Sequence, residues 1–312
     1  MEYIKDLKWK KGINVKDLVE QLGNVGFQSI ELKRASNVFE KMKMAGAKIF
    51  FTFTSNMVTS GLRGFFAQLI NLKMANVIVT TVGGIEEDIM KAHGEKFQMG
   101  RFDLDDLELK EKGLNRIGNL LIDNQSYLIL EDMLNEMLKK CYEKQKRWTP
   151  SELFREIGLM LNDENSILYQ AAKNNVPIFC PAITDGAFGF HLYMFQQKHP
   201  DFMIDVIQDF KNIVLCTSHD EKKGIISLGG SISKHHAILA GLINGGMEFA
   251  VYMTTAEQKS GSMSGATTRE AKSWGKIKDE SDAATVIGDV SILFPLAMIH
   301  ALENLIENKI IN

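Results

Sequence analysis

The stretch AKIFFTFTSN at residues 47–56 decides the fold class, because it is short, apolar, rich in aromatic residues and followed by small polar ones. Such a stretch is typical of a buried strand that leads into a loop. Five further stretches have the same form: NVIVTTVGG (76–84), VPIFCPAITDG (176–186), NIVLCTS (212–218), GIISLGG (224–230) and EFAVYMTTA (248–256). Helical patterns separate most of them. The sequence therefore predicts an α/β fold, a doubly wound parallel sheet with helices on both faces.

Polar residues follow most of these predicted strands. In doubly wound folds, ligands bind at the carboxyl ends of the strands. We therefore expect a nucleotide-sized ligand among five polar tails, at residues 54–56, 80–84, 184–186, 229–231 and 254–256. Gly83-Gly84 and Gly229-Gly230 each end a predicted strand before a helix, where backbone amides can approach a phosphate. Neither pair matches the G-x-G-x-x-G dinucleotide fingerprint.

The chain of 312 residues is long enough for one large domain or two small ones. No clean linker interrupts it, so we expect a single domain over residues 1–312. Residues from about 100 to 165 are highly charged and helical in pattern, and we expect them to form a peripheral helical region.

The composition excludes several classes of function. Lys and Arg number 36 against 39 Asp and Glu, a net charge of −3, with a pI of about 6.2, which argues against a nucleic-acid-binding protein. The three cysteines favour free thiols in a reducing compartment. The N-terminal residues lack the apolar core of a signal peptide, and the apolar stretch Val290 to Leu302 is too short to span a bilayer. We expect a cytoplasmic protein that binds neither membranes nor nucleic acid.

One lysine stands in an unusual setting. Lys276 is flanked by Trp274, Gly275 and Ile277, whereas most lysines lie on solvated faces. A partly buried amine beside an aromatic ring is favoured in its neutral form, which can attack an imine carbon. His235, at the start of a predicted helix, could face a pocket as a hydrogen-bonding partner or proton shuttle. No further His or Cys stands at ligand spacing, so no metal site is expected.

At this point the chain resembles the deoxyhypusine synthase family. The resemblance is a series of motifs that occur in the same order as in the family, over about residues 10 to 300. The most specific of them are LGGSISKHH and SWGKI. The matching segments are TSNMVTSG (54–61), TTVGGIEED (80–88), GLNRIGNLL (113–121), RWTPSEL (147–153), PAITDGAFG (181–189), LGGSISKHH (228–236), AVYMTTA (250–256), GSMSGATTREAKSWGKI (261–277) and GDVSILFP (288–295).

The resemblance implies a homotetramer of Rossmann-like subunits that uses NAD without net redox change. It implies that NAD takes a hydride from spermidine, that a lysine captures the resulting imine, and that the 4-aminobutyl group passes to one lysine of the hypusine-containing translation factor. The retained hydride then reduces the product imine. A polyamine substrate and a protein acceptor are the partners that this chemistry implies.

Carried over by position, the resemblance assigns a role to each of 20 residues. The catalytic residues would be Lys276, as the nucleophile, and His235. The NAD-binding residues would be Ser55, Asn56, Thr59, Thr81, Val82, Gly83, Asp185, Gly229, Thr255, Asp289 and Val290. The substrate pocket would be formed by Glu86, Glu87, Gly230, Glu270 and Trp274, together with Phe190 and Met263.

Phe190 and Met263 are departures from the family pattern, as is Ser260. The resemblance places acidic residues at these three positions, where carboxylates would bind the amines of a polycation. A charge-assisted hydrogen bond contributes roughly 1.5–3 kcal/mol. Their loss should therefore weaken spermidine binding and make the pocket more apolar, while the nucleophile and the cofactor residues are kept.

Three functions stay open on the sequence. The first is deoxyhypusine synthase itself, with an altered donor site. The second is a related enzyme that uses another amine donor or acceptor, such as agmatine, or putrescine to give homospermidine. The third belongs to a different class: a non-catalytic subunit of a hetero-oligomer, which would not need the lysine nucleophile.

Overall fold

The structure is a computed structural model that describes residues 3–311. Its helices, in chain order, are α1 (Val15–Leu22), α2 (Gln28–Met44), α3 (Ser55–Met57), α4 (Arg63–Asn71), α5 (Val82–Ala92), α6 (Asp106–Glu111), α7 (Asn124–Lys144), α8 (Pro150–Met160), α9 (Ile167–Lys173), α10 (Ala187–Lys198), α11 (Val206–Leu215), α12 (Ser231–Ile243), α13 (Thr268–Ser273) and α14 (Val290–Glu307). Irregular helical turns span Val58–Leu62 and Met263–Gly265.

The strands are two to eleven residues long. In chain order they are β1 (Lys48–Phe53), β2 (Val77–Thr80), β3 (Gln98–Met99), β4 (Leu114–Ile117), β5 (Leu120–Asp123), β6 (Arg147–Trp148), β7 (Ile178–Phe179), β8 (Met203–Ile204), β9 (Lys223–Leu228), β10 (Met247–Thr254) and β11 (Ile277–Ile287). Six of them form one sheet in the order β11-β10-β9-β1-β2-β7. This parallel sheet with flanking helices confirms the predicted fold class.

Contacts divide the chain into two compact units. One unit holds the chain up to Phe53, Met74–Val79 and the chain from Ile213 onward. The other holds Thr54–Lys73 and Thr80–Asn212. The expectation of a single domain over the whole chain stays a prediction.

Within the first unit, the alternation of side chains along the strands separates two helical layers. Phe51 of β1 stacks on Phe294 of α14, with ring centroids 5.8 Å apart. Thr52, the next residue, is in register with Ser227 of β9, which is in register with Tyr252 of β10. Lys234 of α12 lies over the Tyr252 ring. Because successive residues of a strand point to opposite faces, α14 and α12 cover opposite faces of the sheet.

Helix α14 belongs to one of these layers. It is long and apolar enough, by length and composition alone, to cross a bilayer, a criterion that core helices of soluble proteins also meet. Its His300 is fully buried and lies 2.7 Å from the Ser36 hydroxyl of α2. This polar contact ties α14 to α2 inside the unit.

Three local features differ from the sequence-based expectation. Residues 212–215, expected in a strand, end helix α11, because Val206, Ile207, Phe210, Ile213 and Val214 recur at helical spacing. The region from about 100 to 165, expected to be helical, overlaps the three-stranded antiparallel sheet β3-β5-β4, which spans residues 98–123. Its β4–β5 hairpin turns at Gly118, whose φ of +62° suits a tight hairpin turn.

The third feature is β11, which the sequence did not predict. Its first half is charged, KDESD at residues 278–282, so it lacks the continuous apolar pattern of the other strands. The strand tolerates these residues because it lies at the edge of the sheet, where only one side is paired.

Gly158 tests the packing of the second unit. A methyl group at Gly158 of α8 would lie 2.4 Å from the backbone oxygen of Leu168 in α9. We predict that Gly158→Ala lowers the free energy of unfolding by about 1–3 kcal/mol, because one helix must move away from the other. Urea unfolding measures this. The matched control is Gly64→Ala in α4, where the methyl group meets only the Asn165 side chain, at 3.2 Å. Equal effects of the two substitutions would contradict the prediction.

Candidate active site

A pocket of about 470 Å³ in the first unit contains the lysine that the sequence singled out. Its walls come from α12, β10, residues 262–267 and α13. Five of the predicted site residues line it: His235, Met263, Glu270, Trp274 and Lys276. The pocket also reaches Ser231, next to Gly230, at the turn between β9 and α12.

Lys276 enters this pocket from the start of β11. Its carbonyl accepts a hydrogen bond of 3.0 Å from the Met247 amide, and its own amide donates to the Ala271 carbonyl at 3.1 Å. Gly275 has a φ of +67°, which lets the chain turn from α13 into the strand. The side chain is only 9% exposed, and its amine lies 5.1 Å from the centroid of the Trp274 ring. The backbone therefore fixes the lysine, and the indole covers it.

The two adjacent histidines have different surroundings. His235 lines the pocket, whereas His236 does not. Burial, with the charges of Lys276 and Lys234, lowers the pKa of His235, so its imidazole is neutral at pH 7. Burial lowers the pKa of His236 to about 4, and the charge of His235 adds to the effect. A neutral His235 can accept a proton inside the pocket.

Lys234 holds one wall of the pocket in place, a role that the sequence analysis did not assign. Its amine donates to the backbone carbonyls of Met263 (2.9 Å), Ser264 (3.3 Å) and Ala266 (3.3 Å). The Ser231 amide also donates to the Ser264 hydroxyl, at 3.1 Å. These contacts fix the turn at residues 263–266, here called the Met263 turn, against the first turn of α12.

Tyr252 lines the pocket and has a buried hydroxyl, and the sequence analysis missed this residue too. Thr52, Ser227 and Tyr252 are in register on adjacent strands and are all buried. None of their hydroxyls has a hydrogen-bond partner among residues 3–311. Tyr252 is the one of the three that lines the pocket. A bound ligand or an ordered water can supply the missing partner.

The carboxyl ends of β9, β10 and β11 bring a second set of predicted residues together in the first unit. Gly229, Thr255 and the pair Asp289-Val290 follow these three adjacent parallel strands. Gly229 has a φ of +94°, and its amide donates to the Met253 carbonyl at 2.8 Å. Asp289 is exposed and accepts from the Ser291 amide at 2.8 Å, as the cap of α14.

The second unit brings another set together at the start of α5. The Ser55 amide donates to the Thr81 hydroxyl at 3.0 Å, and Thr59 donates to the Glu87 carboxylate. Gly83 is required there, because a methyl group would lie 2.9 Å from the Ser55 Cβ. The remaining members of the set are Asn56, exposed on α3, and Val82, buried as the first residue of α5.

Two carboxylates of α5 are buried beside this set. Glu86 accepts from the Phe188 amide at 2.8 Å, in the segment that follows Asp185. Burial raises the pKa of Glu86, and the charge of Asp185 adds to the effect. Burial raises the pKa of Glu87 to about 7, against the hydrogen bond from Thr59 and the charge of Lys91. Glu87 can therefore exchange a proton near neutral pH.

Phe190 lies on α10, also in the second unit. Its side chain is 57% exposed, and its ring centroid is 6.4 Å from that of Tyr193. Its role against a substrate stays a prediction, as do the roles of the other residues above.

Glu87 gives a prediction about pH. Its folded-state pKa is higher than its ordinary value of 4.5, so the folded protein binds more protons than the unfolded chain between about pH 4.5 and 7. Its contribution to stability is therefore present at low pH and is lost as the pH rises through 7. Glu87→Gln should remove this loss, and the stability of the variant relative to wild type should rise by roughly 2–3 kcal/mol between pH 4.5 and 8. Urea unfolding over this range measures the difference. Parallel pH curves for the variant and wild type would show the prediction to be wrong, and the exposed Glu131→Gln on α7 is the control.

Tyr252 gives a prediction about stability. Its hydroxyl has no partner among the described residues, so Tyr252→Phe should leave the melting temperature unchanged or raise it. Ser36→Ala is the contrasting variant, because the equally buried Ser36 hydroxyl lies 2.7 Å from His300. It should cost about 1–3 kcal/mol. A loss of stability in Tyr252→Phe as large as that in Ser36→Ala would mean that the tyrosine hydroxyl has a partner in the folded protein.

Comparisons with known proteins relate most of the chain to one family. The chain is 41% identical over 302 residues to a "Probable deoxyhypusine synthase" of Schizosaccharomyces pombe, covering 91% of this chain and 86% of that protein. It is 37% identical over 323 residues to the deoxyhypusine synthase of Senecio vernalis, covering 94% and 87%. Its fold matches the crystal structure of a chain assigned as a deoxyhypusine synthase from Entamoeba histolytica, with a TM-score of 0.67, 31% identity and coverage of 96% and 97%. The deoxyhypusine synthase family model matches residues 17–301, and the chain belongs to that family.

Proposed function

We propose that this protein is an NAD-dependent enzyme that transfers a 4-aminobutyl group from an amine donor to a lysine of a protein acceptor, the hypusine-containing translation factor, through an imine on Lys276. The observation that carries the proposal is the position of Lys276, 9% exposed in a pocket with Trp274, Glu270 and His235. Membership of the deoxyhypusine synthase family supports aminobutyl transfer as the reaction.

In the second unit, the start of α5 suits a phosphate group of NAD. Thr81, before α5, does not cap the helix with its side chain, and uncapped first-turn amides favour an anion. Gly83 keeps this turn narrow, because a methyl group there would lie 2.9 Å from the Ser55 Cβ. In the first unit, Thr255 and Asp289 follow strand ends, where their oxygens can bind ribose hydroxyls.

NAD, when bound, would supply the redox chemistry, which is removal of a hydride from the donor carbon and its return to the product imine. Lys276 performs the exchange between these events. Its amine adds to the carbon of the donor imine, the bond from that carbon to the leaving amine breaks, and the leaving amine departs with a proton. The four-carbon unit then remains as an imine on Lys276, and the acceptor lysine displaces it in the same way.

The other residues of the pocket act on protons and charge. His235, neutral at pH 7, can accept the proton that Lys276 must lose before it attacks. Glu270 presents a carboxylate to an ammonium group of the donor, and the indole of Trp274 can cover a cationic amine. This set of groups argues against the non-catalytic subunit, which needs no nucleophile.

Two classes of donor remain within this chemistry. Spermidine is the donor that the family resemblance implies. The alternative is a less cationic amine, agmatine, or putrescine with homospermidine as the product, and Met263 and Phe190 favour it over spermidine. A homotetramer and a cytoplasmic location complete the proposal, and light scattering of the purified protein tests the first of these.

Lys276 gives the prediction that tests the reaction. Purified protein with NAD and radiolabelled amine donor should form an adduct that borohydride reduces and traps on the protein. Lys276→Ala should abolish the adduct, because the nitrogen that forms the imine is gone. Lys272→Ala on α13 is the matched control and should keep it, since Lys272 does not line the pocket. An adduct that survives in folded Lys276→Ala would refute the assignment of the nucleophile.

A further inference from the structure

Lys91, on α5 in the second unit, ties this helix to the irregular turn Val58–Leu62. Its amine donates to the Val58 carbonyl at 2.7 Å and to the Thr59 carbonyl at 3.1 Å. The amine also lies 4.8 Å from the centroid of the Phe97 ring. Two carbonyl acceptors and an aromatic face all favour the charged ammonium form of a lysine. Lys91 therefore fixes the backbone on both sides of Thr59.

Thr59 connects this turn to Glu87. Its buried hydroxyl reaches two acceptors, the Glu87 carboxylate and the Ser55 carbonyl, the latter at 3.2 Å. A hydroxyl carries one hydrogen, so it donates to only one of them at a time. An ionised Glu87 accepts this hydrogen, whereas a protonated Glu87 donates to the Thr59 oxygen and leaves the Thr59 hydrogen for the Ser55 carbonyl. The proton on Glu87 thus decides which way the Thr59 hydroxyl points.

The charge of Lys91 acts on the proton of Glu87. The two residues stand four apart on α5, so they share one face of the helix. Burial raises the pKa of Glu87 to about 7, and the Thr59 hydrogen bond and the charge of Lys91 oppose this rise. Burial lowers the pKa of Lys91, and the charge of Glu87 opposes that change in turn. Because the carbonyls that hold Lys91 carry no net charge, they leave its charge to act on Glu87.

The other charged and titratable groups around Glu87 do not replace Lys91. Glu86, next to it on α5, has a negative charge that raises the pKa of Glu87. Tyr127 on α7 is a neutral phenol, because burial and the charges of both glutamates raise its pKa. Arg63 on α4 forms an ion pair of 2.5 Å with the aspartate that follows Glu87. Of these groups, Lys91 is the cation that favours an ionised Glu87.

We propose that Lys91 is a positioning residue of this site: it holds the turn at Thr59 against Glu87, and its charge favours the ionised carboxylate to which the Thr59 hydroxyl donates. The inference deepens the proposed function, in which Thr59 belongs to the NAD-binding set and Glu87 to the substrate pocket, and its effect on activity rests on that function. A carboxylate forms a charge-assisted hydrogen bond with an ammonium group only when it is ionised. Lys91 therefore lowers the pH at which the site can bind its donor.

The proton on Glu87 can be followed without measuring activity. The stability of Glu87→Gln relative to its parent should rise with pH and level off at the folded-state pKa of Glu87, about 7. The same comparison in the Lys91→Met background should level off about one pH unit higher, because the carboxylate loses its neighbouring cation. Urea unfolding from about pH 4.5 to 9 measures both curves. Levelling off at the same pH in folded Lys91→Met would overturn the inference.

Three further variants separate charge from packing. Lys91→Arg keeps the charge, so its curve should level off where that of the wild type does. Lys91→Gln keeps a hydrogen-bond donor without the charge and should behave like Lys91→Met, which it replaces where the methionine variant does not fold. Lys140→Met, exposed on α7 in the same unit, is the matched control and should change nothing. A shift in Lys91→Arg as large as that in Lys91→Met would assign the effect to packing and overturn the proposal.

Activity separates this inference from the proposed function. With NAD and spermidine, kcat/KM should rise as the pH passes the pKa of Glu87. In Lys91→Met this rise should move up by about one pH unit, which lowers kcat/KM at pH 7 by about fivefold. A shifted stability curve with no transfer by the wild type would support the role of Lys91 and refute the transferase. Transfer by the wild type with an unshifted stability curve would overturn the role of Lys91 and leave the transferase intact.

Discussion

The pocket depends on one buried ammonium group. Lys234 reaches from α12 to three carbonyls of the Met263 turn. Burying a cation against neutral carbonyls is costly, and the lowered pKa of Lys234 expresses that cost. In return, the turn that carries Met263 becomes a fixed wall of the pocket. The shape of the pocket and its positive charge therefore have the same origin.

The parallel register of β9, β10 and β11 sets the distances in the first unit. It aligns Gly229, Thr255 and Asp289 at one edge of the sheet and places Lys276 before the first residue of β11, at the other end. The pocket spans this separation along α12, from Ser231 to Lys276.

The sequence predicted the fold class from strands that are continuous apolar runs, as in AKIFFTF. It did not predict strands whose position depends on pairing at the edge of a sheet or on a hairpin turn. β11 could not be recognised because an edge strand needs apolar residues only where it is covered, and its first half is not. The β4–β5 hairpin had a signal, Gly118-Asn119, that the surrounding charged residues obscured. Motifs located Lys276, His235 and Glu270. Lys234 was missed because its role is to donate hydrogen bonds to backbone carbonyls. Tyr252 was missed because its feature is a buried hydroxyl with no hydrogen-bond partner among the described residues. Neither feature produces a recognisable pattern in the sequence.

The charged half of β11 has a consequence for the protein in solution. An outermost strand offers a row of amide and carbonyl groups that a strand of a neighbouring molecule could extend, which is a route to aggregates. The register of β11 against β10 is interrupted between Ile277 and Asp282, so the residues Lys278, Asp279 and Glu280 bulge where that row would begin. A bulge and charged side chains both obstruct such growth. The charged segment that prevented the prediction of β11 from the sequence thus also disfavours pairing of this strand with strands of other molecules.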